Sequence, residues 1–218
     1  MDQKILFLIN REWTNSVLDS FMATMSSASA WVPVFVALAL LTVVRAGFRG
    51  RAALLMIGLV VAVNNSFLCD PIKKTVGRAR PREAMADVRV VDLQKATPQM
   101  LAVVQPADVR ITPPGTSAVR GHSFPSGHTV NNFSAATVLI YFYRRRGALY
   151  LIPASLVAYS RIYVGAHWPS DVLVSIFVAV GVTLIEIALA EWAWKKYGAR
   201  FAAGLHARHP ALAGGAAA

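Results

Sequence analysis

Carboxylates and thiols are scarce in this chain. Of 218 residues only 11 are Asp or Glu, and Cys69 is the single cysteine. One thiol excludes an intrachain disulfide framework, and its place in the apolar run Ala52 to Cys69 reads as packing rather than chemistry. The acidic residues never gather: there is no Asp/Glu cluster and no His-Glu-x-x-His pattern to bind magnesium or zinc. No metal and no other cofactor is therefore expected. Charge of either sign is absent from Ser20 to Val44, long enough to cross a bilayer core, which takes about 20 residues. A secretory signal peptide is not evident, because the short apolar core Lys4 to Ile9 runs at once into Asn10-Arg11-Glu12. No internal repeat is visible.

What is present is apolar and basic. Hydrophobic residues make up 56% of the chain and the mean hydropathy is +0.48, values of a membrane protein rather than a soluble globule. Lys and Arg number 22, giving a formal charge of +11. They sit mainly between apolar segments, which argues against a nucleic-acid stripe and for anionic lipid or an anionic substrate. Five apolar segments read as spans: Ser20 to Val44, Ala52 to Cys69, Ser123 to Tyr143, Gly147 to Ala166 and Val172 to about Trp194. The expected fold is all-α, a polytopic transmembrane helical bundle. Residues 3–20 add an interfacial or sixth helix with Leu6, Leu8, Ile9, Val17 and Leu18 on one face.

Short loops orient the bundle. Arg45, Arg49 and Arg51, then Arg144 to Arg146, then Lys195, Lys196 and Arg200 mark the cytoplasmic side by the positive-inside rule. The connection from 75 to 120 falls on the other side, and its length predicts a lid or substrate rim. The domain is expected to occupy 1–200, with a flexible cytoplasmic tail over 201–218; His206 and His209 in that tail lack the Cys or acidic company of a metal site.

Three motifs follow in order: Lys73-x6-Arg80-Pro81, Pro125-Ser126-Gly127-His128, and Ser160-Arg161-x5-His167-x3-Asp171. Each stands at the same end of an apolar segment. Three fixed cations, two histidines, one carboxylate and a glycine-containing helix start are the inventory for holding a phosphoryl group, attacking it and protonating its leaving group. In all eleven positions this resembles the type 2 phosphatidic acid phosphatase family, which shares its site with vanadium haloperoxidases.

Neutral His167 is expected as the nucleophile, forming a phospho-histidine that water hydrolyses. Asp171 lies one turn on, where its carboxylate is expected to accept the ring N–H of His167. The resemblance makes His128 the general acid, suited by an ordinary pKa near 6.5. Ser126 and Gly127 before it let backbone N–H groups and the positive helix end approach phosphate oxygens. Lys73, Arg80 and Arg161 clamp those oxygens; Ser160 either bonds the phosphate or supports a neighbour. Lys74, Arg78 and Arg82 read as headgroup contacts or solvated charges, and Asp70 as a partner of Lys73 or Lys74. Trp168 reads equally as an interfacial anchor or a substrate contact.

The resemblance implies a membrane lipid phosphatase of a bacterial inner membrane, its site facing the periplasm or exterior. Undecaprenyl diphosphate is favoured over phosphatidic acid, phosphatidylglycerophosphate or lipid A phosphates, because the chain is short and carries no other domain. The alternatives are a lipid phosphotransferase using the same intermediate, a haloperoxidase, which the apolar spans disfavour, and a silent lipid-binding protein, which the two histidines disfavour.

Overall fold

The computed structural model describes residues 1–213. The chain is mostly helical. The first expected span is split: α1 (Asp2–Phe7) and α2 (Ser16–Ser26) precede α3 (Ala28–Arg45), and Ser27 in an extended conformation divides α2 from α3. Asn15 caps α2, its side-chain oxygen accepting the Leu18 N–H at 2.9 Å, as a helix start requires. α4 runs as one rod over Phe48–Val76, with π-type turns at Asn64–Cys69 and Gly77 (φ +60°) closing it by bonding the Lys73 carbonyl. Such a left-handed cap suits glycine. Then come α5 (Gly127–Tyr143), α6 (Leu151–Tyr163), α7 (Pro169–Phe201) and α8 (Ala203–Arg208).

Three of these, α3, α4 and α7, are long and apolar enough to cross a membrane. At 13 residues, α6 reaches about 20 Å, short of the roughly 30 Å hydrocarbon core; α5 has 17 residues. The helix lengths thus support three of the five expected spans. Along α3, Val32, Phe35, Leu38, Leu41 and Val44 are all at least half exposed. A continuous apolar surface of that kind is sustained by lipid rather than water.

The core sits around α5, which packs against α4, α6 and α7. Its successive small residues Ser134, Ala135, Ala136 and Thr137 are buried and let neighbouring backbones approach closely. The N-terminal segment does not lie free in an interface: Leu6 and Ile9 are buried in the same core as Met22, Phe133 and Tyr163. Asn10 fastens it by donating to the carbonyls of Arg89 (2.8 Å) and Tyr163 (2.6 Å) and accepting the Arg89 N–H (2.8 Å).

The 75–120 connection departs from all-α. Strand β1 (Arg89–Asp92) pairs antiparallel with β2 (Asp108–Ile111) in the register Arg89 to Ile111 and Asp92 to Asp108, with a 3-10 turn at Gln99–Val104 between them. Beyond α7, the first part of the expected tail is docked: His209 stacks on Phe48 with centroids 4.3 Å apart, and Trp194 Nε1 donates to the His209 carbonyl at 2.8 Å. Residues 214–218 of that tail lie outside the described residues.

Candidate active site

Backbone hydrogen bonds tie the three motifs together. Gly121 N–H donates to the Gly77 carbonyl (3.0 Å) and Ser123 N–H to that of Arg78 (2.8 Å), which holds the segment before the second motif against the first. Arg82 N–H donates to the Gly165 carbonyl at 3.2 Å, and Trp168 Nε1 to the Ala79 carbonyl at 2.9 Å, joining the first motif to the third. That indole bond gives Trp168 a structural duty beyond anchoring or substrate contact.

Within the third motif the spacing has a local cause. The N–H groups of Ala166 and His167 both reach the Arg161 carbonyl at 3.1 Å, so the chain folds back over the end of α6. Gly165 makes that turn at φ +71°, and a Cβ there would meet the Arg89 carbonyl oxygen at 2.7 Å. Left-handed backbone and close approach both require glycine. The turn brings His167 against the positions held by Arg161, before Pro169 opens α7.

His167 is 4% exposed. Its Nδ1 lies 2.5 Å from the Ser123 carbonyl oxygen. A carbonyl only accepts, so Nδ1 carries the proton and Nε2 presents its lone pair. Burial first, then the charge of Arg161, pushes the His167 pKa well below the usual histidine range, against the Ser123 carbonyl, which favours the charged form. A neutral imidazole is the form that can attack.

The expected His167–Asp171 bond is replaced by a two-step connection. Asp171 accepts from the Ser123 hydroxyl (2.5 Å), from Arg78 Nη1 (2.5 Å) and from the Trp168 N–H (3.3 Å). Ser123 thus links them, its hydroxyl held by Asp171 and its carbonyl holding His167. The reason is burial: Asp171 is fully enclosed, and its charge is satisfied by a cation and two donors rather than by one imidazole. Arg78, read from the sequence as a solvated charge, is a hub. Besides Asp171 it donates to Ser170 Oγ (2.9 Å) and Asp2 Oδ2 (2.7 Å), and it lies over the Trp168 ring at 5.1 Å. Asp2 in turn accepts the Ser170 N–H at 2.9 Å, capping α7 from the far end of the sequence.

His128 occupies the first turn of α5. Burial first, then the charges of Arg161, Lys73 and Arg80, push its pKa from the ordinary value down to about 4, and Arg161, Arg80 and His128 act likewise on His167. A Cβ on Gly127 would stand 3.5 Å from Lys73 Nζ, which places the ammonium at the helix start. The structure therefore gathers Lys73, Arg80, Arg161, Gly127, His128 and His167. Arg161 donates through Nη1 to the Ser26 carbonyl at 2.9 Å and to the Ser26 hydroxyl. Arg80 meets Glu83 at 3.5 Å. The Nε of Arg80 and of Arg161 are buried without a partner among the described residues; donors so placed cost energy unless an anion completes them.

Two expected phosphate ligands have other commitments. The Ser126 N–H donates to Ser175 Oγ at 2.9 Å, and its hydroxyl accepts from Thr129 at 3.0 Å. Ser160 donates to its own helix at the Val157 carbonyl, 2.7 Å, leaving only its acceptor lone pairs; of the two readings, support of the helix is the one with a bond to show. Asp70 forms no ion pair with Lys73 or Lys74 among the described residues. Ser123, Ser26, Ser175 and Asp2 carried no signal of spacing, since each acts through a partner 44 to 168 positions away.

A family profile described as the PAP2 superfamily matches residues 49–195, more than half of the chain and every motif position. The chain belongs to the PAP2 superfamily. Among similar proteins, an undecaprenyl-diphosphatase of Sulfolobus acidocaldarius is 35% identical over 31% of this chain and 34% of its own. A lipid A 4'-phosphatase of Bacteroides thetaiotaomicron is 26% identical over 71% of this chain and 62% of its own. Both matches span less than two thirds of those relatives. The crystal structure of Aquifex aeolicus LpxE superposes with a TM-score of 0.57 at 23% identity, over 84% of this chain and 93% of that one, a likeness of fold.

Proposed function

We propose that this PAP2 protein is an integral membrane lipid phosphatase that releases the terminal phosphate of a lipid phosphate or diphosphate through a phospho-histidine. The observation that carries the proposal is the pair of buried guanidinium N–H groups, Nε of Arg80 and of Arg161, without a partner among the described residues, together with the Lys73 ammonium at the helix start that carries His128. Nε2 of neutral His167 attacks phosphorus. The Ser123 carbonyl holds Nδ1–H and stabilises the imidazolium that forms. His128 takes up a proton as the phosphate anion binds and offsets the surrounding cations, gives that proton to the departing oxygen, then takes one from the water that cleaves the P–N bond. The three cations neutralise the charge that grows on the phosphoryl oxygens in the transition state.

The reading places this site outside the cytoplasm. Arg49, Arg144, Arg145 and Arg146 line one pocket at the opposite end of α4 and α5, the basic end that the positive-inside rule keeps in the cytoplasm. Candidate substrates include undecaprenyl diphosphate and lipid A phosphates, the chemistry named for the relatives. The test is phosphate release by the detergent-purified protein from a panel of lipid phosphates. Release should persist in excess EDTA and fall with vanadate, which mimics the trigonal-bipyramidal phosphoryl group. Loss in EDTA with recovery on adding magnesium overturns the proposed clamp of cations.

A further inference from the structure

Beside Arg161 the hairpin covers a cavity of about 730 Å³, a size typical of ligand pockets, which run about 300–1,000 Å³. Val91 and Asp92 of β1 and Asp108 and Arg110 of β2 line it, as do Ser26 and Ser27 at the junction of α2 and α3. Gln94, Lys95, Gln99 and Arg82 complete a mainly polar lining. An acyl or isoprenyl chain placed here would strip water from those groups and offer no hydrogen bond in return. A hydrated headgroup would keep them satisfied.

The charges are unbalanced in one direction. Asp92 and Asp108 are both taken by Arg110, at 2.8 and 3.2 Å. Arg82, Lys95 and Arg161 line the same cavity with no carboxylate partner among the described residues. Arg161 is also within reach of both histidines' charge, so it belongs to the phosphoryl site. That leaves Arg82 and Lys95 as two cations facing a polar space next to the phosphoryl site, an arrangement stabilised by a second anion.

We infer that this cavity is a headgroup subsite: it takes a second anionic group, joined to the scissile phosphate by a hydroxyl-bearing spacer such as glycerol or a sugar, with Arg82 and Lys95 holding that anion. The inference rests on the phosphatase reading and narrows it. Substrates of the phosphoglycerol or phosphosugar class fill both sites. Phosphatidic acid fills only the first, and the tail of an isoprenyl diphosphate finds no place in a polar cavity.

Steady-state phosphate release is measured in detergent for phosphatidylglycerophosphate, phosphatidic acid of the same acyl chains, and undecaprenyl diphosphate. The wild type should prefer phosphatidylglycerophosphate in kcat/KM by about 10-fold or more, the worth of one charged hydrogen bond. Arg82→Gln with Lys95→Gln should erase that preference through KM, and Arg82→Lys with native Lys95 should keep most of it. Arg145→Gln, at the other end of the bundle, should keep the ratio. A preference for undecaprenyl diphosphate, or a ratio indifferent to the double variant, overturns the subsite while leaving the phosphatase reading intact. No release from any of the three lipids sinks the phosphatase reading instead; in that case the subsite also falls if glycerol phosphate raises the melting temperature of wild type and double variant equally.

Discussion

Arg78 is the most exposed test of how the site is held together, because nothing in its sequence position distinguishes it from Lys74 or Arg82. Its guanidinium joins Asp171 (2.5 Å), Ser170 (2.9 Å) and Asp2 (2.7 Å). Removing one partner of a buried ion pair costs about 3–5 kcal/mol. That range is an upper bound here, since Arg78 itself is 37% exposed while Asp171 is 0% exposed, and solvent screens the exposed partner. Asp171 also keeps the Ser123 hydroxyl and the Trp168 N–H. A cost of about 1–3 kcal/mol, that of weakening the satisfaction of a buried group, is the expectation for Arg78→Ala. Asp171 holds Ser123, and Ser123 holds His167, so the loss should appear largely in positioning of the nucleophile. At 1.36 kcal/mol per decade it corresponds to a fall in kcat of about 5- to 150-fold. Arg78→Lys should lie between, because one ammonium cannot reproduce the fork that spans two carboxylates. The assay is phosphate release by the purified variant, run beside thermal unfolding followed by tryptophan fluorescence. An Arg78→Ala protein with wild-type kcat and wild-type melting would refute the chain of contacts from Asp2 to His167.

The histidines should separate by chemistry: His167→Ala abolishes turnover and any acid-labile phospho-enzyme, while His128→Ala slows turnover by about 10² to 10⁴ and less so with a nitrophenyl phosphate, whose leaving group needs no proton. Equal sensitivity of both substrates to His128→Ala would contradict its role as the acid. Gly165→Ala should lower the melting temperature and activity together, since a left-handed non-glycine costs about 1–2 kcal/mol and its Cβ would press on the Arg89 carbonyl at 2.7 Å; unchanged stability would show the turn to be differently built. For sidedness, Val104→Cys (Val104 being 87% exposed) and Arg145→Cys in a Cys69→Ala background should label from opposite sides, with only the former open to an impermeant thiol reagent in intact cells. Equal labelling of both would remove the proposed orientation.

Hydropathy and three short spacings were enough to read a membrane-type helical chain, its superfamily and the residues that gather at one end. They are legible because each depends on neighbours: twenty apolar residues in a row, or a helix turn that sets a proline, a glycine and a histidine together. Even the Arg161-to-His167 spacing is local, a left-handed turn at Gly165 that returns His167 to the Arg161 carbonyl. Tertiary structure alone decided who partners whom. Asp171 is one turn from His167 in sequence, yet its carboxylate is claimed by Ser123, 48 positions away, and by Arg78, 93 positions away. A buried charge takes the donors that three-dimensional packing brings to it, and sequence spacing does not rank those donors. The same holds for the hairpin, whose four-residue strands are too short to carry an alternation, and for the break at Ser27, which divides an uncharged run that hydropathy reads as one span. Composition records how much apolar surface a chain has. Where that surface turns, and which polar groups it encloses, is set by contacts between residues far apart along the chain.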